Sequence, residues 1–386
     1  MDARSPGSQA ALREANRARL LAALRAGTAR SQADLARATG LAPATVSNIV
    51  RQLEREGTVT TEESAGRRQV RLLPRTGVAA SIDYGHRHVT VAIADDSPRI
   101  LAERRLRLER HIDAREGLQV ARRLLDLALE DASVELDDLV SIGMGLPAPI
   151  DRRTGRVGSP AILPGWRGVA VVELATEALG RPVAVDNDAN LGALAEYRWG
   201  HGRHQEIESL VFIKLSEGVG AGLVIDGALF SGRDGTAGEI GHTTIDEHGA
   251  MCRCGNRGCL ETLVSARAIV EALRPVLGED REITLAEVAA LAEEGDAACT
   301  RVLQDAGAQI GRSIASLCNL LNVQIVVIGG EMAQAGDLLL DAIRPVVHRF
   351  GIPSAVERLE LVTTDLGARA PLLGGIALAF DLVQPR

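Results

Sequence analysis

Gly238-Glu239-Ile240-Gly241-His242, then nine intervening residues, then Cys252-Arg253-Cys254-Gly255-Asn256-Arg257-Gly258-Cys259-Leu260-Glu261: this stretch decides how the 386-residue chain reads. His242, Cys252, Cys254 and Cys259 supply one imidazole and three thiolates, the donor set of a tetrahedral Zn2+ site. Gly255 and Gly258 free the loop to wrap an ion. Four protein ligands leave no open position, so the expected zinc is structural. Clustered cysteines in a reducing compartment point to metal or catalysis before disulfides. The other two, Cys299 and Cys318, sit in apolar helical stretches and read as inert core thiols. With one ring nitrogen of His242 on the metal, the other is free to meet a ligand hydroxyl, and the same loop gathers Glu239 and Glu261 beside it.

On either side of this stretch the apolar periodicity predicts alternating strands and helices. Strands are expected at Val78–Ile82, Val89–Ala94, Ile100–Leu106, Leu139–Gly145 and Val183–Val185, with helices at Ala114–Ala132, Ala170–Ala178 and Leu191–Trp199. The second half repeats the plan, with strands at Leu210–Leu215, Gly220–Ile225, Ile325–Ile328 and Leu359–Thr363. Its helices are expected at Ala266–Leu277, Leu285–Ala292, Ala297–Leu321, Leu338–Arg349 and Leu372–Leu382. Two such halves predict two α/β lobes facing a cleft, with ligands at the carboxyl ends of the strands. Glycine-bearing segments fall at those ends: Asp83-Tyr84-Gly85, Gly143 to Pro149, Gly218 to Gly222, Gly329-Gly330 and Gly374-Gly375. Glycine there is expected to let the backbone approach a ligand. Asp186-Asn187-Asp188-Ala189-Asn190 follows a buried strand and opens a helix. Its side chains suit either of two tasks, gripping vicinal hydroxyls or capping the helix.

Residues 1–75 carry 13 Arg against seven Asp and Glu, while the whole chain has a formal charge of −8. A basic head on an acidic body is expected where only the head meets nucleic acid. Helices are predicted at Asn16–Ala26, Gln32–Thr39 and from Pro43 onward, with Gly40 breaking the second. Val46, Ile49, Val50 and Leu53 form an inward stripe on the third helix. Ala44, Thr45, Ser47, Asn48 and Arg51 lie opposite, short or basic side chains able to approach base edges and phosphates. Strands at Thr58–Thr61 and Gln69–Leu73 flank a tip holding Gly66, Arg67 and Arg68, which reads as a wing. The pattern predicts a winged helix-turn-helix with double-stranded operator DNA as its expected partner, against a three-helix protein-interaction module as the other reading.

Apolar residues make up 46% and charged residues 24%, ordinary for a globular protein. No apolar run approaches a membrane span, and the first ten residues lack the apolar core of a signal peptide. A cytoplasmic protein is expected. Lys214 is the sole lysine.

These motifs together resemble the ROK family of bacterial repressors and sugar kinases, in the regulator branch that holds N-acetylglucosamine and xylose repressors. The resemblance spans almost the whole chain. It rests on the Pro147-Ala148-Pro149 loop, Asn187-Asp188, the Gly218–Gly222 loop, Gly232 through His242, the cysteine loop ending at Glu261, and Gly329-Gly330. It implies an actin-like or hexokinase-like (ribonuclease H-like) fold of two α/β lobes. It further implies sugar contacts from Asn187, Asp188, Glu239, His242 and Glu261. In kinase members the residue matching Asp188 is the catalytic base.

The phosphate loops depart from the kinase pattern. Where kinases have DIGGT, this chain has Asp83-Tyr84-Gly85-His86-Arg87; where they have GTGVGGG, it has Ser216-Glu217-Gly218-Val219-Gly220-Ala221-Gly222. His86 obstructs backbone approach to a phosphate, and Glu217 repels one. Ala148 replaces the usual glycine of the PxP loop, and Ile162 replaces an asparagine common near Trp166; both bear on sugar identity. The expectation is therefore a non-enzymatic, sugar-responsive regulator, with a sugar kinase bearing an added head as the alternative. A third reading has the regulator answering to a protein partner in place of a sugar. Expected boundaries are 1–75 for the head, 76–190 for the first lobe, and 191–386 for the second with its last helix returning to the first. A sugar or sugar-phosphate effector and a homodimer or homotetramer complete the expected partners.

Overall fold

In the head, three helices and a hairpin enclose one apolar core. The helices are α1 (Gln9–Arg25), α2 (Gln32–Thr39) and α3 (Pro43–Arg55); the hairpin is β1 (Val59–Ser64) with β2 (Arg67–Leu72). α1 starts seven residues before the predicted Asn16, because the residues ahead of its leucine stripe are helix formers such as Ala, Gln, Leu, Arg and Glu. Ser31 Oγ accepts the Asp34 N–H while the Asp34 carboxylate accepts the Ser31 N–H, a capping box that sets where α2 begins. Gly40 ends α2 at φ 68°, a conformation that suits glycine. Leu20, Leu21, Leu24, Leu35, Val46, Val50, Leu53, Val59 and Val70 form the core. Burying each large aliphatic side chain contributes about 2 kcal/mol.

The computed structural model describes residues 9–25, 31–55, 58–64, 67–72, 77–85, 87–108, 112–151, 153–158, 163–203, 207–278, 281 and 283–383. Gly66, His86 and Ile162 lie outside them, as does the Arg67 side chain. The chain divides into two compact units, Met1–Gly77 with Phe380–Arg386, and Val78–Ala379.

The larger unit contains two sheets built to one plan. β3 (Val78–Tyr84), β4 (His88–Ala94) and β5 (Ile100–Arg107) form an antiparallel meander. Then come α4 (Ala114–Ala132), β6 (Leu139–Leu146), the small hairpin of β7 (Ile150–Asp151) and β8 (Arg156–Val157), α5 (Val171–Leu179) and β9 (Val183–Asn187). The sheet order is β5-β4-β3-β6-β9, with β6 and β9 parallel. After α6 (Asp188–Trp199), the strands β10 (Leu210–Leu215), β11 (Val219–Ile225) and β12 (Ala228–Leu229) repeat the meander. α7 (Glu261–Val264), α8 (Ala266–Leu277), α9 (Leu285–Glu293) and α10 (Ala297–Leu321) precede β13 (Ile325–Gly329). α11 (Gly336–Phe350), α12 (Pro353–Val356), β14 (Glu360–Thr363) and α13 (Ala370–Val383) follow, giving the order β12-β11-β10-β13-β14.

The first sheet buries Ile82, Val91, Ile142 and Met144 against α4 and α5, and the second buries Val211, Ile213, Val326 and Ile328 against α8 to α11. Cys299 and Cys318 are buried in that second core, as apolar neighbours predict. α6 and α13 meet at glycines. A Cβ on Gly143 would stand 1.9 Å from the Gly375 carbonyl oxygen, and one on Gly374 would stand 1.9 Å from that of Leu191. A Cβ on Gly222 would stand 2.3 Å from the Ala189 oxygen. These glycines, expected to admit a ligand, instead admit helix backbone against strand and helix. The strand β9 runs two residues past its predicted end because Asp186 and Asn187 stay in register with Gly145 and Leu146. α6 therefore starts at Asp188 without a loop.

Candidate functional site

The cysteine loop folds back on itself through two isolated bridges, Thr244 with Cys259 and Met251 with Arg257. Gly258 allows it: its φ is 57°, and a Cβ there would stand 1.6 Å from the Asp246 oxygen. A 3-10 turn over Ile240–His242 presents His242 to the loop. His242 Nδ1 lies 3.6 Å from Cys252 Sγ, and Cys254 Sγ lies 3.7 Å from Cys259 Sγ. The four ligand atoms all lie within 4.8 Å of one another. Thiolates bound to a tetrahedral zinc ion stand about 3.8 Å apart, so the cluster has the size and donor set to hold a metal ion. Burial, then the neighbouring thiols, pushes Cys259 up to about 12. A metal entering there must displace protons.

The ring's other nitrogen points away from the thiols. His242 Nε2 lies 3.7 Å from Glu239 Oε2, on a cleft of about 930 Å³ that Asn187, Asp188 and Glu261 also line. All five residues predicted to contact sugar thus share one cavity. Burial, reinforced by Asp188 and Glu261, raises Glu239 to about 7. Asn187 caps α6, its Oδ1 accepting N–H groups of Ala189 at 2.8 Å and Asn190 at 3.3 Å; its amide nitrogen is not needed for the cap. Asp186 turns inward, where Oδ1 accepts the Asn187 N–H and the Asn190 side-chain amide at 2.8 Å.

Lys214 and Arg253, which pair with the predicted sugar-contact acids, were not singled out as site residues from sequence. Lys214 Nζ donates to Asp188 Oδ2 at 2.5 Å. Arg253, set between two metal-site cysteines, donates from Nε and Nη2 to the two oxygens of Glu261, at 2.9 and 2.7 Å. Glu261 Oε2 also accepts the Val219 N–H at 3.2 Å, from the second glycine loop. The available signals were a lone lysine next to last in a strand and an arginine inside the CxC motif.

At the first phosphate-loop position, His88 Nε2 stands 3.5 Å from Asp83 Oδ2. A Cβ on Gly85 would stand 2.2 Å from the His88 ring. Arg87 and Glu217 line the same cleft. In the separate head unit, Ala44, Asn48 and Arg51 are exposed on α3, Thr45 and Ser47 are half-buried beside them, and Arg68 is exposed on β2. Arg51 Nη2 donates to Asn48 Oδ1 at 2.6 Å.

Residues 79–381 match the ROK family, and residues 14–69 match the MarR family. The chain belongs to the ROK family. Within that family it is 29% identical to the xylose repressor of Caldicellulosiruptor bescii, over 97% of this chain and 98% of the repressor. It is 36% identical to a glucokinase of Halalkalibacterium halodurans, over 65% of this chain and 79% of the glucokinase. A solved ROK family transcriptional regulator, described as a homolog of the E. coli MLC protein, superimposes with a TM-score of 0.77 at 27% identity, covering 95% of each chain. The ROK resemblance and the winged-helix head expected from sequence are thus both present. Among the described residues no helix is long and apolar enough to cross a membrane.

Proposed function

We propose that this ROK protein is a DNA-binding transcriptional repressor that responds to a sugar, with a kinase-like cleft serving as its sensor. The observation that carries this is the extent of the match to the xylose repressor: it runs through head and body alike, over 97% of the chain. The face of α3 formed by Ala44, Thr45, Ser47, Asn48 and Arg51 enters the major groove of operator DNA, and Arg67 and Arg68 on the hairpin reach phosphates. A homodimer or homotetramer places paired heads on a two-fold operator. Asn187, Asp188, Glu239, His242 and Glu261 hold the sugar hydroxyls. Sugar releases DNA only by binding the off-DNA state more tightly, so the sensor needs differential affinity between states.

The metal is zinc, held by His242, Cys252, Cys254 and Cys259. When bound it crosslinks the loop and fixes the His242 ring, and it offers no reactive position. The body is not an enzyme: Arg87 and Glu217 stand on the cleft at positions where kinases have threonine. Operator selected from genomic fragments, titrated with the protein by fluorescence anisotropy with and without a panel of sugars, tests the proposal. Loss of DNA affinity with one sugar supports it; DNA binding that no sugar alters removes the sensor role.

A second reading, a sugar kinase carrying a DNA-binding head, is favoured by Asp188 on the cleft and by the match to a glucokinase. ATP-dependent phosphorylation of a sugar, abolished by Asp188→Asn, would establish it.

A further inference from the structure

Arginine supplies nearly all the basic charge of this chain; of 43 basic residues only Lys214 is lysine. It stands on β10 among buried Phe212, Ile213 and Leu215. Its register partners are Gly220 on β11 and Gly329 on β13. Neither has a side chain, so the four-carbon stem runs between them into the cleft. A compact ammonium fits such a slot, where a planar guanidinium fork is broader.

The ammonium meets carboxylates from three separate elements. Asp188, at the start of α6, takes its hydrogen bond at 2.5 Å. Asp83 on β3 and Glu331 after β13 add attraction that, with Asp188, outweighs the cost of burying the charge. Asp83 Oδ1 is buried without a hydrogen-bond partner among the described residues, and it too lines the cleft. Burial, with Asp83 beside it, holds the Asp188 carboxyl above its ordinary value, and the Lys214 ammonium is the strongest influence opposing that shift. A protonated carboxyl spends one oxygen as a donor and loses acceptor strength.

We propose that Lys214 sets the affinity of this cleft for polyhydroxylated ligands: its ammonium holds the Asp188 carboxyl group in position to accept from a ligand hydroxyl and gives a second N–H to the same ligand. The proposal rests on the sugar reading above.

The test uses the full-length, metal-replete chain with D-xylose, D-glucose and N-acetyl-D-glucosamine as probes in calorimetry. For any probe that the wild type binds, Lys214→Met should bind at least tenfold more weakly while still unfolding cooperatively, and Lys214→Arg should recover part of the loss. Because Lys214 is the sole lysine, acetic anhydride reports on it directly, with the N-terminal amine as internal control. Saturating sugar should slow acetylation of Lys214 and leave the N-terminus unchanged. That measurement uses the wild-type chain, so it decides even where a variant fails to fold. Binding by Lys214→Met within threefold of wild type overturns the proposal. Lys214 acetylation that saturating sugar does not slow overturns the direct contact. If the wild type binds none of the probes, the sugar reading fails first and this proposal with it.

Discussion

Arg253 and Glu261 form a two-pronged ion pair, Nε to Oε1 at 2.9 Å and Nη2 to Oε2 at 2.7 Å, which ties the cysteine loop to the wall of the cleft. The loop and the cleft are therefore one mechanical element. Glu261 is almost fully buried and Arg253 is about one-third exposed on its side chain. A parallel pair of charge-assisted bonds in that setting is stronger than a surface salt bridge.

Removing the guanidinium leaves the Glu261 carboxylate buried with the Val219 N–H as its remaining described hydrogen-bond donor. Arg253→Met should cost about 2 kcal/mol, at the lower end for a broken buried pair because Arg253 is partly wet. Urea unfolding of Arg253→Met, Glu261→Gln and the double variant measures the coupling. A coupling near zero would mean that the pair does not hold the loop to the cleft.

Cys254 is the exposed member of the four-residue cluster, and Cys299 is a buried thiol far from it in sequence. Cys254→Ser should lower bound zinc well below one ion per chain and lower thermal stability. Cys299→Ser should leave the metal content unchanged. Elemental analysis of both variants separates a ligand from a core thiol. Equal metal content in Cys254→Ser and wild type would remove Cys254 from the ligand set.

The cysteine motif was legible because metal ligation constrains spacing along the chain, and the helices because apolar residues recur on one face. The Lys214–Asp188 and Arg253–Glu261 pairs were not legible. Both cations act through partners that only the fold brings near, and a charged side chain in a sequence reads first as solvated surface. The glycines misled in part. Gly143 and Gly375 lie at opposite ends of the body sequence, and only their contact shows that helix backbone, and not ligand, occupies the space. The strand β9 ran long because register with β6, a tertiary property, outlasted the apolar run.

Glu196 on α6 is fully buried. Thr364 Oγ1 donates to one carboxylate oxygen and the His201 N–H to the other, the latter at 3.3 Å, with the His201 ring also nearby. Burial dominates these contacts and raises the carboxyl above the ordinary glutamate value of 4.5. The folded state then binds the proton more tightly than the unfolded state. Its stabilising effect is complete below the ordinary value and is lost as pH rises through the raised one. Glu196→Gln keeps an acceptor for Thr364 without the charge. Its melting temperature relative to wild type should rise between pH 5 and pH 8; a constant difference would show that Glu196 does not titrate in that range.

The head offers two kinds of contact that salt can separate. Arg68 is exposed on the hairpin, where a guanidinium meets phosphate regardless of sequence. Arg68→Ala should weaken binding to operator and unrelated DNA alike and reduce the slope of log affinity against log salt by about 1. Asn48 is exposed on α3, with Arg51 bonded to its side-chain oxygen. That bond occupies the oxygen and leaves the amide nitrogen as a donor for a base-edge acceptor. Asn48→Ala should cost about 1 kcal/mol on operator and much less on unrelated DNA, with the salt slope nearly unchanged. Anisotropy titrations of both variants across a salt series give the four slopes. If Asn48→Ala lost affinity equally on both DNAs, α3 would lie on the phosphate backbone and the helix reading the bases would have to be another.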